Sequence, residues 1–306
     1  MDLSKIQIFK RCVRRTPLLP LTNNSLFFNK LECCQLGGSF KIRGAVSTLL
    51  ELEAKGDRRG VITVSMGNTA TSLAYAGKLF QHPVTVVMPE TVSSTKLAAT
   101  RRIGAEVILK GKVGDDAIAH SLEVASERDM FFLHPHKTPP FLRGNATILE
   151  EIIHENPGIA QVFIPIGGGG LASGICDYIR EKGLSVKPVG VEAANAPAFY
   201  RSMMEGRPIC LETMDTIADA LTLMEPDPEV FERLSGSLEK VVIVSEEEII
   251  EAMKLLFEEY RVITEPGGAA PLAAMLKEGK DVPSAAIISG GNMDLDEFQK
   301  TVFKKT

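Results

Sequence analysis

The sequence predicts an α/β protein built on parallel sheets with helices on both faces. Three observations carry this. Short apolar, β-rich runs alternate almost throughout with longer segments whose apolar residues recur every three or four positions, the rhythm of strands joined through crossover helices. Two of the runs, Val84-Thr-Val-Val-Met88 and Val162-Phe-Ile-Pro-Ile166, are nearly continuous in apolar residues, as strands covered on both faces are. Three strand candidates run into a turn containing glycine, at Gly67, Gly167 and Gly290, and ligands of parallel sheets gather at such strand ends.

In chain order, strands are predicted over residues 61–65, 84–88, 106–109, 162–166, 186–192, 241–244 and 285–289. Helices are predicted over 70–80, 115–128, 171–182 and 246–260, the last opened by a capping box in which Ser245 precedes Glu248 by three positions. No long linker, low-complexity tract or 20–50-residue repeat interrupts the series. The Pro- and His-rich stretch His134-Pro-His-Lys-Thr-Pro-Pro140 is either a domain boundary or a long surface loop.

The 306 residues suggest two domains at roughly 100–200 residues each. A net charge of −5 and a pI near 5.7 argue against a nucleic-acid or anionic-membrane partner, since phosphate-rich surfaces attract clustered Lys and Arg. No apolar run reaches the roughly 20 residues needed to span a bilayer, and the first ten residues are too polar for a signal peptide. The cysteines (Cys12, Cys33, Cys34, Cys176, Cys210) form no C-x-x-C spacing and read as free thiols of a cytoplasmic protein.

Four segments carry chemistry. In Gly37-Gly-Ser-Phe-Lys-Ile-Arg-Gly-Ala45, Lys41 is a candidate for Schiff-base formation. That chemistry needs a neutral amine, so the surroundings must depress a pKa of about 10.4, and Phe40 and Arg43 are placed to do so. The competing reading is an amphipathic helix with Lys41 and Arg43 on its solvated side. In the segment from Val61 to Ser72, a strand, a turn at Gly67 and a helix offer backbone N–H groups to a carboxylate or phosphate, with Asn68 as a side-chain donor. The alternative is helix capping by Asn68 or Thr69. The third segment places four glycines, Gly167, Gly168, Gly169 and Gly170, between a buried strand and a helix, a phosphate cradle of unhindered N–H groups. A merely flexible turn would not need four glycines at about 1 kcal/mol of folding entropy each. The same window holds Gly167-x-Gly169-x-x-Ala172, a dinucleotide-type fingerprint with Glu192 about where a ribose-binding acid belongs, so an NAD-dependent dehydrogenase is an alternative. The fourth is Ala285-Ala-Ile-Ile-Ser-Gly-Gly-Asn292, where Ser289 either hydrogen-bonds a ring nitrogen or caps a turn. Of the remaining candidates, His134-x-His136 reads as a pair of loop residues rather than a metal site, and Cys33-Cys34 as small packing side chains.

Together these segments resemble the fold type II pyridoxal-phosphate enzymes, whose fold is that of the tryptophan synthase β chain, and in particular the threonine/serine dehydratase and serine racemase branch. The collinear blocks are Lys30-Leu-Glu-Cys-Cys-Gln35, Ser39-Phe-Lys-Ile-Arg-Gly-Ala45, Ser65-Met-Gly-Asn68, Gly167-Gly-Gly-Gly-Leu171, Thr216-Ile-Ala-Asp219, Glu265-Pro266 and Ser289-Gly-Gly-Asn292. The resemblance implies two doubly wound parallel-sheet domains, a large cofactor-binding one of residues 1–50 and 138–306 and a small mobile one of residues 51–137. It implies pyridoxal 5'-phosphate as cofactor, bound as a Schiff base on Lys41, which also shuttles the α-proton. Phe40 would line the cofactor, Asn68 hydrogen-bond its phenolic oxygen, residues 167–170 hold its phosphate, and Ser289 face its pyridine nitrogen. Ser65, Met66, Gly67 and Thr69 would contact the substrate carboxylate. The implied reaction is dehydration and deamination of L-threonine and/or L-serine to a 2-oxo acid and ammonia, in a homodimer or homotetramer. Racemisation needs a proton donor opposite the lysine; the serine that resembles this donor in serine racemases is Met66 here. Three further departures stand out. Thr69-Ala-Thr71 replaces His-Ala-Gln and looks more like threonine synthases, which makes β/γ-replacement an alternative. Ala220 replaces a glycine. Glu192 and Ala196 match the branch's metal-binding loop, but Ala198 stands where its carboxylate belongs.

Overall fold

The computed structural model describes residues 3–65, 67–92, 94–111, 114–279 and 281–303. In chain order the elements are α1 (Leu3–Cys12), β1 (Leu18–Leu21), β2 (Asn24–Lys30), α2 (Lys41–Ala54), β3 (Val61–Val64), α3 (Asn68–Phe80), β4 (Val84–Met88), α4 (Ser94–Ile103), β5 (Glu106–Leu109), α5 (Gly114–Glu127), β6 (Phe131–Phe132), α6 (Pro139–Glu155), β7 (Gln161–Pro165), α7 (Gly170–Lys182), β8 (Lys187–Ala193), α8 (Ala198–Glu205), α9 (Pro228–Ser235), β9 (Lys240–Val244), α10 (Glu246–Tyr260), α11 (Pro266–Glu278), β10 (Ser284–Ile287) and α12 (Leu295–Val302).

Contacts divide the chain into two units. The smaller comprises the residues through Arg14 together with Lys41–Gly144; the larger comprises Arg15–Phe40 and the residues from Asn145 onward. These limits differ from the expected division into 1–50 with 138–306 and 51–137. The physical reason lies in α2 and the start of α6. A Cβ on Gly44 would stand 2.6 Å from the Phe141 ring, and one on Gly144 would stand 2.2 Å from the Arg43 carbonyl oxygen. The buried Arg43 guanidinium donates to the Arg14 carbonyl at 3.3 Å. These contacts tie α2, residues 139–144 and Arg14 into the smaller unit.

The smaller unit is wound on a parallel sheet ordered β5-β4-β3-β6. Its β4 is buried along its whole length, as its uninterrupted apolar run requires. Ile62, Val87, Ala117, Val124 and Ala125 form a core beneath α5.

The larger unit carries a six-stranded sheet ordered β1-β2-β10-β7-β8-β9, parallel except for the antiparallel β1–β2 pair. Side chains alternate across it. Phe163 of β7 and Ala286 of β10 face a core built with α10, α11 and α12, whereas Val162, Ile164, Ala285 and Ile287 face one built with α6, α7 and α9. That two-sided burial is the doubly wound arrangement. The capping box of α10 is present, with the Glu248 N–H donating to Ser245 Oγ at 3.2 Å and the Ser245 N–H to Glu248 Oε2 at 2.8 Å.

Three strands, β1, β2 and β6, were not legible in the sequence. Pro20 interrupts β1, which lies at the sheet edge where a missing donor is tolerated. β2 ends in Asn29 and Lys30, both fully buried; Lys30 is neutralised there by Glu151 at 2.7 Å and donates to the Thr16 carbonyl at 2.6 Å. The five cysteines form no disulfide. Among the described residues no helix is long and apolar enough to cross a membrane.

Candidate active site

In the larger unit, β10 ends at Ile287 and the chain turns through the buried Ser289. The segment 37–40 runs alongside this turn. Ser39 forms an antiparallel bridge with Gly290, the Phe40 N–H donates to the Ser289 carbonyl at 3.0 Å, and the Gly291 N–H donates to the Gly38 carbonyl at 2.9 Å. The Asn292 amide donates to the Gly37 carbonyl at 2.7 Å. Gly38 has φ +74°, and a Cβ there would stand 2.2 Å from Asn292 Oδ1, so only glycine serves. Two motifs some 250 residues apart in sequence are one local structure.

The glycine loop joins them. β7 passes through Gly167, Gly168 and Gly169 into α7, which starts at Gly170. Gly169 is its N-cap, with φ +81° and no side-chain cap. Gly169 thus offers no side-chain acceptor to the N–H groups of the first helical turn, which suits an anion. The loop is braced on its inner side: a Cβ on Gly167 would stand 2.7 Å from the Ala220 carbonyl oxygen, and one on Gly169 would stand 2.6 Å from Val230. That packing argues against a merely flexible turn. A Cβ on Gly268 would stand 2.3 Å from the Gly290 carbonyl, and one on Gly267 would stand 3.2 Å from Ala220 Cβ. Three of the sequence blocks, with Ala220 and Gly267–Gly268 just beyond the ends of two more, thus converge at the strand ends, and Ala220, where the family pattern has glycine, is accommodated against Gly267. Around this convergence Ser39, Asn145 and Ser173 each keep a buried side-chain oxygen with no hydrogen-bond partner among the described residues. Unpaired buried oxygens are costly unless something else satisfies them, and the two hydroxyls can donate to an oxyanion.

In the smaller unit Lys41 opens α2 and is half-buried, its Nζ 5.9 Å from the Phe141 ring centroid. The solvated-helix reading is corrected for Arg43, which is wholly buried. His136 keeps part of its surface exposed. Even so, desolvation of its ring, then the charges of Lys41, His134 and Lys137, hold its pKa well below the usual imidazole range. Its backbone N–H donates to His134 Nδ1 at 3.2 Å, and the two rings meet edge-on at 5.4 Å. Among the described residues no group of three or more metal-ligating side chains is found. At the other loop of this unit, Ser65 Oγ accepts the Gly67 N–H at 3.2 Å, and α3 starts at Asn68 with Gly67 as N-cap and no capping side chain. The capping reading is thereby corrected: Asn68 and the buried Thr69 lie inside the helix. Met66 lies outside the described residues. Sequence reasoning missed Phe141 and His136, which come close to Lys41 only through folding, about 100 residues on.

The dinucleotide reading needs Glu192 to face a ribose. Glu192 is instead 1% exposed, with Oε1 accepting the Phe199 N–H at 2.9 Å and Oε2 the Tyr200 N–H at 2.8 Å. Burial pushes its carboxyl up to about 7 although both hydrogen bonds oppose the shift. Both of its oxygens are committed within the protein.

An α/β fold whose glycine loop at the strand ends is suited to an anion, with Glu192 committed within the protein, fits an enzyme of a phosphate-bearing cofactor better than the dinucleotide reading. The chain belongs to the pyridoxal-phosphate dependent enzymes, whose family model matches residues 10–290. It is 36% identical over 313 residues to an L-threonine ammonia-lyase of Thermotoga maritima, covering 99% of this chain and 78% of that one. Among solved structures it resembles the processed threonine deaminase isoform 2 of Solanum lycopersicum, with a TM-score of 0.87 at 31% identity over 98% of this chain and 91% of the other. It also resembles maize serine racemase, with a TM-score of 0.88 at 28% identity over 99% and 97%. The fold is that of the fold type II group, and the cofactor is pyridoxal phosphate.

Proposed function

We propose that this enzyme dehydrates and deaminates L-threonine and/or L-serine, giving a 2-oxo acid and ammonia. The observation that carries the reading is the convergence of segments 37–40, 167–170 and 289–292 in the larger unit, joined to the ammonia-lyase likeness over nearly the whole chain. Bound pyridoxal phosphate supplies the electron sink for loss of the α-proton and the β-hydroxyl. The protein's part is to hold, orient and move protons. The N–H groups of residues 167–170 would take the phosphate, with Ser39 and Ser173 as neighbouring donors. Ser289 would offer a hydroxyl to the ring nitrogen; a hydroxyl cannot hold a full positive charge there as a carboxylate would, so the sink is weak and prompt loss of the leaving group is favoured. Asn68 would donate to the phenolic oxygen and Phe40 would lie against the ring. Lys41 would hold the cofactor covalently through Nζ and carry the α-proton. Ser65, Met66, Gly67 and Thr69 would take the substrate carboxylate at the start of α3. A cytoplasmic setting and a homodimer or homotetramer belong to the same proposal.

The test is Lys41→Ala. Wild-type protein is expected to be yellow, with a band that borohydride bleaches, and to release 2-oxo acid from L-threonine or L-serine. The variant should keep its circular dichroism and lose the band and the turnover. A variant that stays yellow, reducible and active would assign the cofactor to another lysine. Turnover of a phosphorylated hydroxy amino acid alone would favour the β/γ-replacement reading that Thr69-Ala-Thr71 suggests.

A further inference from the structure

The loop that follows β8 is where the resemblance places a divalent cation, and the residues present do not fit one. The resemblance would pair Glu192 with a carboxylate at position 198, and that residue is alanine. Glu192 itself is turned inward: it is 1% exposed, and each of its oxygens already accepts a backbone N–H from the first turn of α8. The need for that arrangement is local. The N-cap of α8 is Pro197, which has no side-chain acceptor to offer the helix. Residues at the second and third helical positions are normally satisfied by the cap residue; here a carboxylate from the end of the preceding strand reaches over to do so, helped by the positive end of the helix dipole.

This link continues toward the glycine loop. Phe199, whose N–H is held by Glu192, is 1% exposed and packs in the core with Val230 and Leu234. Its Cζ lies 3.3 Å from the point a Cβ on Gly169 would occupy, and Val230 and Leu234 lie 2.6 and 3.0 Å from the same point. Gly169 is therefore held at φ +81° against a wall whose position depends on where α8 begins. We propose that Glu192 is a positioning residue: its carboxylate fixes the start of α8 and, through Phe199, braces Gly169, and it does so in place of a bound divalent cation. This rests on the reading of residues 167–170 as the phosphate cradle.

The experiment uses the full chain, stripped of cofactor and dialysed against EDTA. Thermal unfolding is recorded with and without MgCl₂, CaCl₂ and MnCl₂, and pyridoxal phosphate binding is titrated at 25 °C by absorbance, for wild type, Glu192→Gln and Glu192→Ala. The expected result is that wild-type affinity and melting temperature are indifferent to EDTA and to all three cations. Glu192→Ala should bind the cofactor about five- to tenfold more weakly, the scale of a lost helix cap, with no cation restoring it, and Glu192→Gln should fall between. If Glu192→Ala does not fold, the Glu192→Gln comparison carries the same test. Wild-type affinity that EDTA lowers and a cation restores would overturn the proposal by placing a cation at Glu192. A lower melting temperature with cofactor affinity unchanged within about twofold would overturn it too, leaving Glu192 a helix cap only. Wild-type protein that binds no pyridoxal phosphate under any condition would instead overturn the cradle reading, and the cation indifference would still be read from the melting temperatures.

Discussion

An imidazole in water protonates near pH 6.5, and burial penalises the charged form. At His136 desolvation and the nearby Lys41, His134 and Lys137 all act in that one direction. Because the folded-state pKa lies below the unfolded one, the contribution of His136 to stability is present above about pH 6.5 and is lost as pH falls below it. Urea unfolding at pH 7.5 and pH 5.5 should therefore show wild type losing more stability than His136→Gln. The difference is bounded by about 1.4 kcal/mol per pH unit of that interval below 6.5. Equal losses in the two proteins would mean the ring is not sensed by the fold. Phe141 acts on Lys41 differently: its ring centroid lies 5.9 Å from Nζ, and a ring face attracts an ammonium by about 0.5–1 kcal/mol. Neither neighbour could be read from the sequence. Spacing reveals which residues share a helix face, and His136 and Phe141 reach Lys41 across folded elements.

A loop made of glycines can be tested position by position because its glycines are not equivalent. Gly169 has a left-handed backbone and Val230 against it, so a side chain there would be strained and would displace its neighbours. Gly168 is part-exposed and is not among the glycines of positive φ, so a Cβ meets no backbone strain. Gly168→Val should weaken pyridoxal phosphate binding by about tenfold or more while moving the apo melting temperature by no more than about 4 °C. Unchanged affinity would reduce the loop to a structural turn. This element was the most legible in the chain, because its four glycines follow a strand of unbroken apolar character. The β1–β2 pair was the least legible. Its first strand contains Pro20, and its second ends in the buried Asn29 and Lys30, whose partners, Tyr260 for the one and Glu151 and the Thr16 carbonyl for the other, lie outside the hairpin, so no period-2 pattern survives in the sequence.

At the scale of the molecule, the balance between elimination and racemisation is a property of the whole site, and the similarity to both a threonine deaminase and a serine racemase makes it worth measuring. Met66 offers a thioether without an exchangeable proton, and a missing acid–base group typically costs about 10²–10⁴-fold. Incubation with L-serine should therefore give pyruvate faster than D-serine by a factor of that order, and Met66→Ser should raise racemisation without improving elimination. D-Serine appearing as fast as pyruvate would show that another donor serves. The division into units was poorly legible for a related reason. Its limits fall at Phe40–Lys41 and inside α6, where the chain shows no linker composition at all.

The discontinuity of the larger unit has a consequence during synthesis. The small sheet is complete in the chain once Phe132 has been made, but β2 pairs with β10 in the register Lys30↔Ile287. At about 5–20 residues per second on the ribosome, the β1–β2 hairpin waits on the order of 10–50 s for its neighbour. Until β10 emerges, one edge of β2 is an open template for a wrong partner. The second-encoded sheet is therefore the first to have all its strands available.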